Sequence, residues 1–378
     1  MKTLIPLLLA SAISTAAQAD INIGMVLSTT GPGASLGIPQ SNTVPLMPQE
    51  IAGQRVNYIV LDDGTDSTSA TRAARKLTAE SNVDVIIGAT TVPASAAVAQ
   101  VAEQAHTPQI ALAPYLPNGD AHKWVFTIAQ TNHLMAKPLV DHMSSAGIKT
   151  LGYIGFNDVW GEDWYNVLND LLPTAGITLI ANERFNRTDT SVSGQVLKVT
   201  SKRPDAVLIG ATGTPAALPH KELRRLGYKG VIYHTHGAAN SAFRRIGGKD
   251  LEGAILPAGP IVVWDQLPAG HPAKEPASEY AKAYEAKYGP QTLSPFGAYV
   301  FDAVRLIEAA APEALKQGQP GTEAFRLGLR DLIEKLSSVP GAHGPYTFSS
   351  EDHSGHDSQA RVLLTIKEGQ WALLPVAD

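Results

Sequence analysis

Three stretches of the chain carry residue types and spacings that could do chemistry. Gly31-Pro32-Gly33-Ala34-Ser35-Leu36-Gly37 follows an apolar run, and its glycines resemble a phosphate-cradling fingerprint. The spacing is G-x-G-x-x-x-G rather than G-x-G-x-x-G, and Pro39 would interrupt the helix that should receive the phosphates. The same residues spell G-x-S-x-G, with Ser35 where a hydrolase elbow holds its nucleophile. Few residues precede Ser35 to supply the upstream oxyanion loop. A glycine-rich loop that brings its backbone close to a ligand is the plainer reading. Thr90-Thr91-Val92-Pro93-Ala94-Ser95 joins a strand to a helix. The free N–H groups of a helix start attract anions, and the hydroxyls of Thr91 and Ser95 either add donors or simply cap the helix. Glu351-Asp352-His353-Ser354-Gly355-His356-Asp357 offers imidazoles among carboxylates, suited to zinc or nickel, or to a solvated turn between two strands. The turn is the preferred reading. H-E-x-x-H and G-x-x-x-x-G-K-[ST] do not occur.

Composition narrows the classes. The chain has 378 residues, 44% of them hydrophobic and 17% charged, with a formal net charge of −5. That length predicts two to three domains with real cores. No Lys/Arg-rich run exists, which argues against nucleic acid as a partner. With no cysteine, disulfides, Cys-ligated zinc and thiol nucleophiles are excluded. Met1-Lys2-Thr3, the apolar Leu4 to Ile13 and Ala17-Gln18-Ala19 occur in the order of a secretory signal, so residues 1–19 are predicted to be cleaved before Asp20. No later apolar stretch reaches membrane-spanning length, so a soluble, exported protein is expected.

The elements that must position these residues alternate. Apolar runs at residues 21–27, 56–62, 83–88 and 109–113 read as strands, with helical spacing at 69–81 and 95–105 between them. The order repeats, with strands at 148–155, 178–185, 206–210 and 230–234 and helices at 162–175, 191–201 and 216–226. This predicts an α/β fold with two similar domains built on parallel sheets. Helices follow at 275–288, 294–311 and 322–338, and residues 345–350 with 361–366 read as a closing hairpin. No long linker separates the halves, which suggests several chain crossings between them.

The segments INIGMVLSTTGPGASLG, VLDDGTDSTSATRAARKL, VDVIIGATTVPASAAVAQVAEQAHTPQIALAP and GYIGFNDVWGEDW, in that order after an export signal, resemble the branched-chain amino-acid type of periplasmic binding protein. Such proteins feed an ABC importer. The resemblance implies two Rossmann-like lobes joined by three hinge crossings, with ligand in the cleft. Lobe one would be residues 20–136 plus 267–341, and lobe two 137–266 plus 342–378. It implies no catalysis, no cofactor and no metal, a monomer, and permease and ATPase subunits as membrane partners.

The resemblance also implies site residues. Thr91, Val92 and Ser95 would take the ligand carboxylate. Ser35 and Leu36 would line the far end, Tyr115 and Trp160 would wall the pocket, and Thr212 or Gly213 would face the cleft. His236 stands where amino-acid binders carry an acid for the α-ammonium. An ammonium buried without a carboxylate is costly, whereas a histidine can donate to a carboxylate, hydroxyl or carbonyl. The expected ligand is therefore a carboxylate without an α-amino group, foremost an aromatic acid such as a benzoate or phenyl-substituted acid. A branched-chain amino acid and an esterase using Ser35 are the alternatives.

Overall fold

A computed structural model describes residues 19–374. The predicted signal peptide, save Ala19, lies outside the described residues. The first sheet grows from β1 (Ile21–Leu27), whose nearly unbroken apolar run suits a central strand buried on both faces. After β1 come α1 (Ala34–Thr43), β2 (Glu50–Ile51), β3 (Gln54–Asp62), α2 (Ser67–Ala79), β4 (Val85–Gly88), α3 (Val92–Gln104), β5 (Gln109–Ala111) and β6 (Val125–Thr127). Their order in the sheet is β2-β3-β1-β4-β5-β6, with β1 parallel to both β3 and β4. α2 starts where the Asp66 side chain accepts from the Ser69 N–H, 2.7 Å away, and buries Ala70, Ala73, Ala74 and Leu77.

The second sheet repeats the scheme. α4 (Asn132–Ser145) leads to β7 (Thr150–Phe156), α5 (Val159–Leu171), β8 (Thr178–Phe185), α6 (Ser193–Ser201), β9 (Ala206–Gly210), α7 (Ala217–Arg225), β10 (Val231–His234), α8 (Ser241–Gly247) and β11 (Ile255–Ala258). Three helices then return to the first sheet: α9 (Lys274–Tyr288), α10 (Pro295–Ala314) and α11 (Glu323–Ile333). Last come β12 (Val339–Gly341), β13 (Gly344–Tyr346), β14 (Val362–Lys367) and β15 (Gln370–Leu374). The second sheet runs β15-β14-β11-β10-β9-β7-β8, with β14 and β15 antiparallel. The fold is the expected α/β arrangement of two lobes.

Two expectations change. Pro39 does not break the helix: α1 runs through it. A proline forfeits only the bond to the carbonyl four residues back, here that of Ser35. Close approach to α10 holds α1 in place, since a Cβ at Gly297 would sit 2.9 Å from the Pro39 carbonyl oxygen. The closing hairpin is also different. β13 pairs with β12, while β14 pairs with β11 and β15. The His-rich segment between β13 and β14 is not a solvated turn. His353 is fully buried, its Nδ1 2.9 Å from the Val125 carbonyl, and the His356 Nε2 lies 3.1 Å from that of Ile128. Among the described residues, no group of three His, Asp or Glu is placed to hold a metal ion.

Separate cores define the lobes. Ile128 and Ala129 belong to the core between the first sheet and α10–α11, whereas Met135 and Ala136 belong to that of the second sheet. Val263 and Leu267 still belong to the second core, and Phe296 to the first. Tyr346 and Phe348, beyond residue 341, pack in the first core, and Val362 in the second. The chain therefore crosses three times, and the crossings meet at one buried polar cluster. The Gln130 Nε2 donates to the Ala360 carbonyl (2.8 Å) and lies 3.2 Å from His343 Nδ1. Its Oε1 accepts from the Tyr299 hydroxyl at 2.6 Å. His343 Nε2 lies 2.9 Å from the Pro295 carbonyl, and a side chain at Gly259 would collide with its ring.

These burials predict a pH dependence. Burial pushes the pKa of His236 and His343 down to about 3, that of His220 and His356 to about 4, and that of His234 lower than the ordinary value. Burial pushes Asp84 up to about 6 and Asp302 up to about 7. Between roughly pH 4 and 6.5 the unfolded chain gains protons on five histidines that the native protein refuses. The native protein holds protons on two aspartates that the unfolded chain releases. The histidines prevail, so stability should fall as pH drops through this window. Each uncompensated proton contributes about 1.4 kcal/mol per pH unit. Melting curves at pH 7 and pH 5 check this; an unchanged or higher melting temperature at pH 5 contradicts it.

Candidate functional site

Loops at the carboxyl ends of the parallel strands of both lobes converge on one enclosed pocket, the place where α/β sheets open a crevice. Its atom-free space is about 350 Å³, opening included. From lobe one come Leu36, the Thr90–Val92 loop, Leu112–Pro114 and Ala129, with Phe296 and Tyr299 from α10. From lobe two come Trp160, Arg187, Thr212, His236 and Gly237.

The lobe-one side presents the start of α3. A helix start leaves its first amides without intrahelical partners. Here Pro93 has no N–H, and that of Ser95 reaches the Thr91 carbonyl at 2.8 Å. The amides of Val92 and Ala94 remain. Thr91 occupies the cap position, but its side chain makes no capping bond, so its hydroxyl is not spent on the helix. The neighbouring Thr90 is committed: its hydroxyl accepts from the Ser28 N–H and lies 2.6 Å from Gln40 Oε1.

The lobe-two side presents a cation. The Arg187 Nε donates to Asp158 Oδ2 at 2.6 Å, and its Nη1 to the Thr212 hydroxyl at 3.0 Å. The guanidinium lies 4.2 Å over the Phe156 ring. Asp158 is itself fixed, because it caps α5 through the Gly161 N–H. Burial draws the Arg187 pKa below its ordinary value while the adjacent carboxylate raises it. A guanidinium stays charged at neutral pH under such opposed influences. Among the described residues no Asp or Glu lines the pocket.

Trp160 and His236 form an aromatic corner, ring centroids 5.2 Å apart, with Trp164 packed behind. Trp160 Nε1 and His236 Nδ1 are buried without a partner among the described residues. Burial keeps His236 neutral, so its ring has one donor and one acceptor nitrogen.

The expected site residues divide. Leu36, Thr91, Val92, Trp160, Thr212 and His236 line the pocket together. Ser95 does not: it is fully buried and its hydroxyl donates to the Ala89 carbonyl at 3.0 Å. Tyr115 does not either. Its N–H reaches back to the Ala113 carbonyl at 2.7 Å, and this tight turn sends the ring to a separate depression beside Asn132 and Asp163. Phe296 and Tyr299 supply that wall instead. Ser35 and Gly213 stand just outside, where the lobes touch. The Thr214 N–H donates to the Ser35 hydroxyl at 3.3 Å, and among the described residues Ser35 hydrogen-bonds to no histidine. Sequence reasoning missed Arg187, Phe296 and Tyr299. Arg187 had one available signal, its place two residues beyond β8, whose neighbour β7 is also followed by a site residue, Trp160.

A pocket closed between two such lobes defines a class of solute-capturing proteins. Residues 20–369 match the family described as periplasmic binding protein, and the chain belongs to that family. It is 42% identical to a solved extracellular ligand-binding receptor from Rhodopseudomonas palustris HaA2, over 94% of this chain and 100% of that one, with a TM-score of 0.93. It is 25% identical to the Leu/Ile/Val-binding protein BraC3 of Rhizobium johnstonii, over 92% of this chain and 93% of that protein. A solute-binding protein of an R. palustris ABC transporter, solved with benzoate, shares the fold at 18% identity and a TM-score of 0.78, covering 94% of this chain and 96% of that one. Among the described residues no helix is long and apolar enough to cross a membrane.

Proposed function

We propose that this protein captures a small carboxylate, foremost an aromatic acid such as a benzoate or phenyl-substituted acid, for an ABC importer. The observation that carries the reading is the pairing of Arg187 with the α3 start across a pocket that no acid lines. Both ends attract negative charge. An α-ammonium would have no carboxylate partner there, and its burial would be costly. Phe296, Tyr299 and Trp160 give flat apolar walls suited to a ring. The benzoate held by a protein of the same fold is consistent with this choice.

The protein works as a monomer without catalysis, in the periplasm, after removal of residues 1–19. The lobe bounds shift slightly from those expected: Met135, Ala136 and Leu267 go with lobe two, and Tyr346 and Phe348 with lobe one. Ligand closes the lobes, and permease and ATPase subunits respond to the closed form. The second reading, a branched-chain amino acid, is favoured by relatives named Leu/Ile/Val-binding proteins.

A thermal-shift panel decides between them. It holds benzoate, phenylacetate, cinnamate, oxo acids, Leu, Ile, Val and Phe. A ligand at a hundredfold its Kd adds about 2.7 kcal/mol, a shift of several degrees. Aromatic acids are expected to shift the melt and amino acids to leave it unchanged. A shift with Leu or Val alone overturns the reading.

A further inference from the structure

We propose that the groove at the mouth of the cleft is a second, weaker carboxylate site, where Arg244 and Arg245 collect the ligand before it enters the inner pocket. The proposal rests on the carboxylate reading above. The groove holds about 1630 Å³ of atom-free space, open solvent included, against about 350 Å³ inside. The two spaces meet at the lobe contact, since Ser35 and Thr214 line the groove while Leu36 and Thr212 line the pocket.

The groove is basic in an acidic protein. The chain carries a net charge of −5, yet among the described residues no Asp or Glu lines this space. Arg245 is exposed and makes no hydrogen bond or ion pair with a described residue. Arg244 is held by the Gly369 carbonyl (2.7 Å) and Gln370 Oε1 (2.8 Å), and its guanidinium lies 5.2 Å from the Trp371 ring. Its buried Nε has no partner among the described residues. The charged carboxylates of Asp62, which accepts from Thr29, Thr30 and Gly64, and Glu285, which accepts from the Gln291 N–H at 2.8 Å, lie outside the groove's lining. Tyr284 and Tyr288, tied to Asn42 on lobe one, form an aromatic wall of the same groove. A ring-bearing carboxylate thus finds a cation and an aromatic face outside the gate as well as inside it. Charge concentrated at a cleft mouth raises the association rate and leaves dissociation nearly unchanged.

Stopped-flow tryptophan fluorescence with benzoate, on the mature protein, tests this at low and high salt. Arg245→Gln is the informative variant, because Arg245 supports no other contact. The association rate should fall about fivefold, the worth of roughly 1 kcal/mol of lost attraction, with the dissociation rate unchanged. Its salt dependence should shrink, and Arg245→Glu should slow association further. Equal association rates for wild type and Arg245→Glu overturn the mouth site while leaving the inner pocket standing. Failure of benzoate to bind the wild type overturns both.

Discussion

Replacing Arg187 by glutamine is expected to weaken benzoate binding by more than a hundredfold. Removing one member of a buried charged pair costs 2–5 kcal/mol, and about 3 kcal/mol is enough for that loss. Arg187 is pre-set for the task. Asp158 and Thr212 hold two of its nitrogens, and Phe156 supports its face, so little freedom is lost when an anion arrives. The variant also leaves Asp158 without its partner, which lowers stability. Asp158→Asn combined with Arg187→Gln removes that unpaired charge, so the melt should recover while binding does not. Titration calorimetry reads the affinity. A value within threefold of wild type would remove Arg187 from the site. Arg187→Lys keeps the charge but loses the planar fork, and should recover only part of the affinity.

Gly213→Val should block closure. Gly213 has φ +62, and a Cβ there would lie 2.6 Å from the Ser35 Oγ and 2.7 Å from the Leu36 Cδ1, both on the opposite lobe. Small side-chain rotations relieve a methyl group, but a branched side chain at positive φ fits less well. Overpacking of 1–3 kcal/mol, felt only when the lobes meet, corresponds to about tenfold to a hundredfold in affinity. Small-angle scattering with saturating benzoate gives the direct readout. Wild type should compact on binding and the variant should not. Full compaction of the variant at wild-type affinity would show that the lobes need no clearance at residue 213.

The alternation of elements was legible because many of the apolar runs, such as β1, β4, β7 and β9, are strands buried within a parallel sheet. Three of the parts that were not legible contain a proline. α1 contains Pro39, α4 contains Pro138 and β11 contains Pro257, and proline counts against each pattern locally. Packing against α10, the second core and β14 outweighs that local cost. β6 is three residues long, too short to show a period. Thr91 was legible from the strand-to-helix loop that holds it, and Trp160, Thr212 and His236 from the family resemblance. Arg187 was not, because an isolated cation on a loop reads as solvated until Asp158 is seen behind it. Tyr115 misled because a single tight turn decides which way its ring points. Phe296 and Tyr299 reach the pocket from α10, which follows all the other pocket residues in sequence, a placement only the tertiary structure gives.

The contact between Ser35 and Thr214 has a practical consequence. One amide-to-hydroxyl bond of 3.3 Å is a slight restraint, so ligand rather than the protein itself decides whether these two positions are neighbours. The chain offers no native thiol to compete for labelling. A dye on a cysteine introduced at residue 214 would sense the approach of residue 35 as an optical signal, turning occupancy of the pocket into a readout suited to screening ligands.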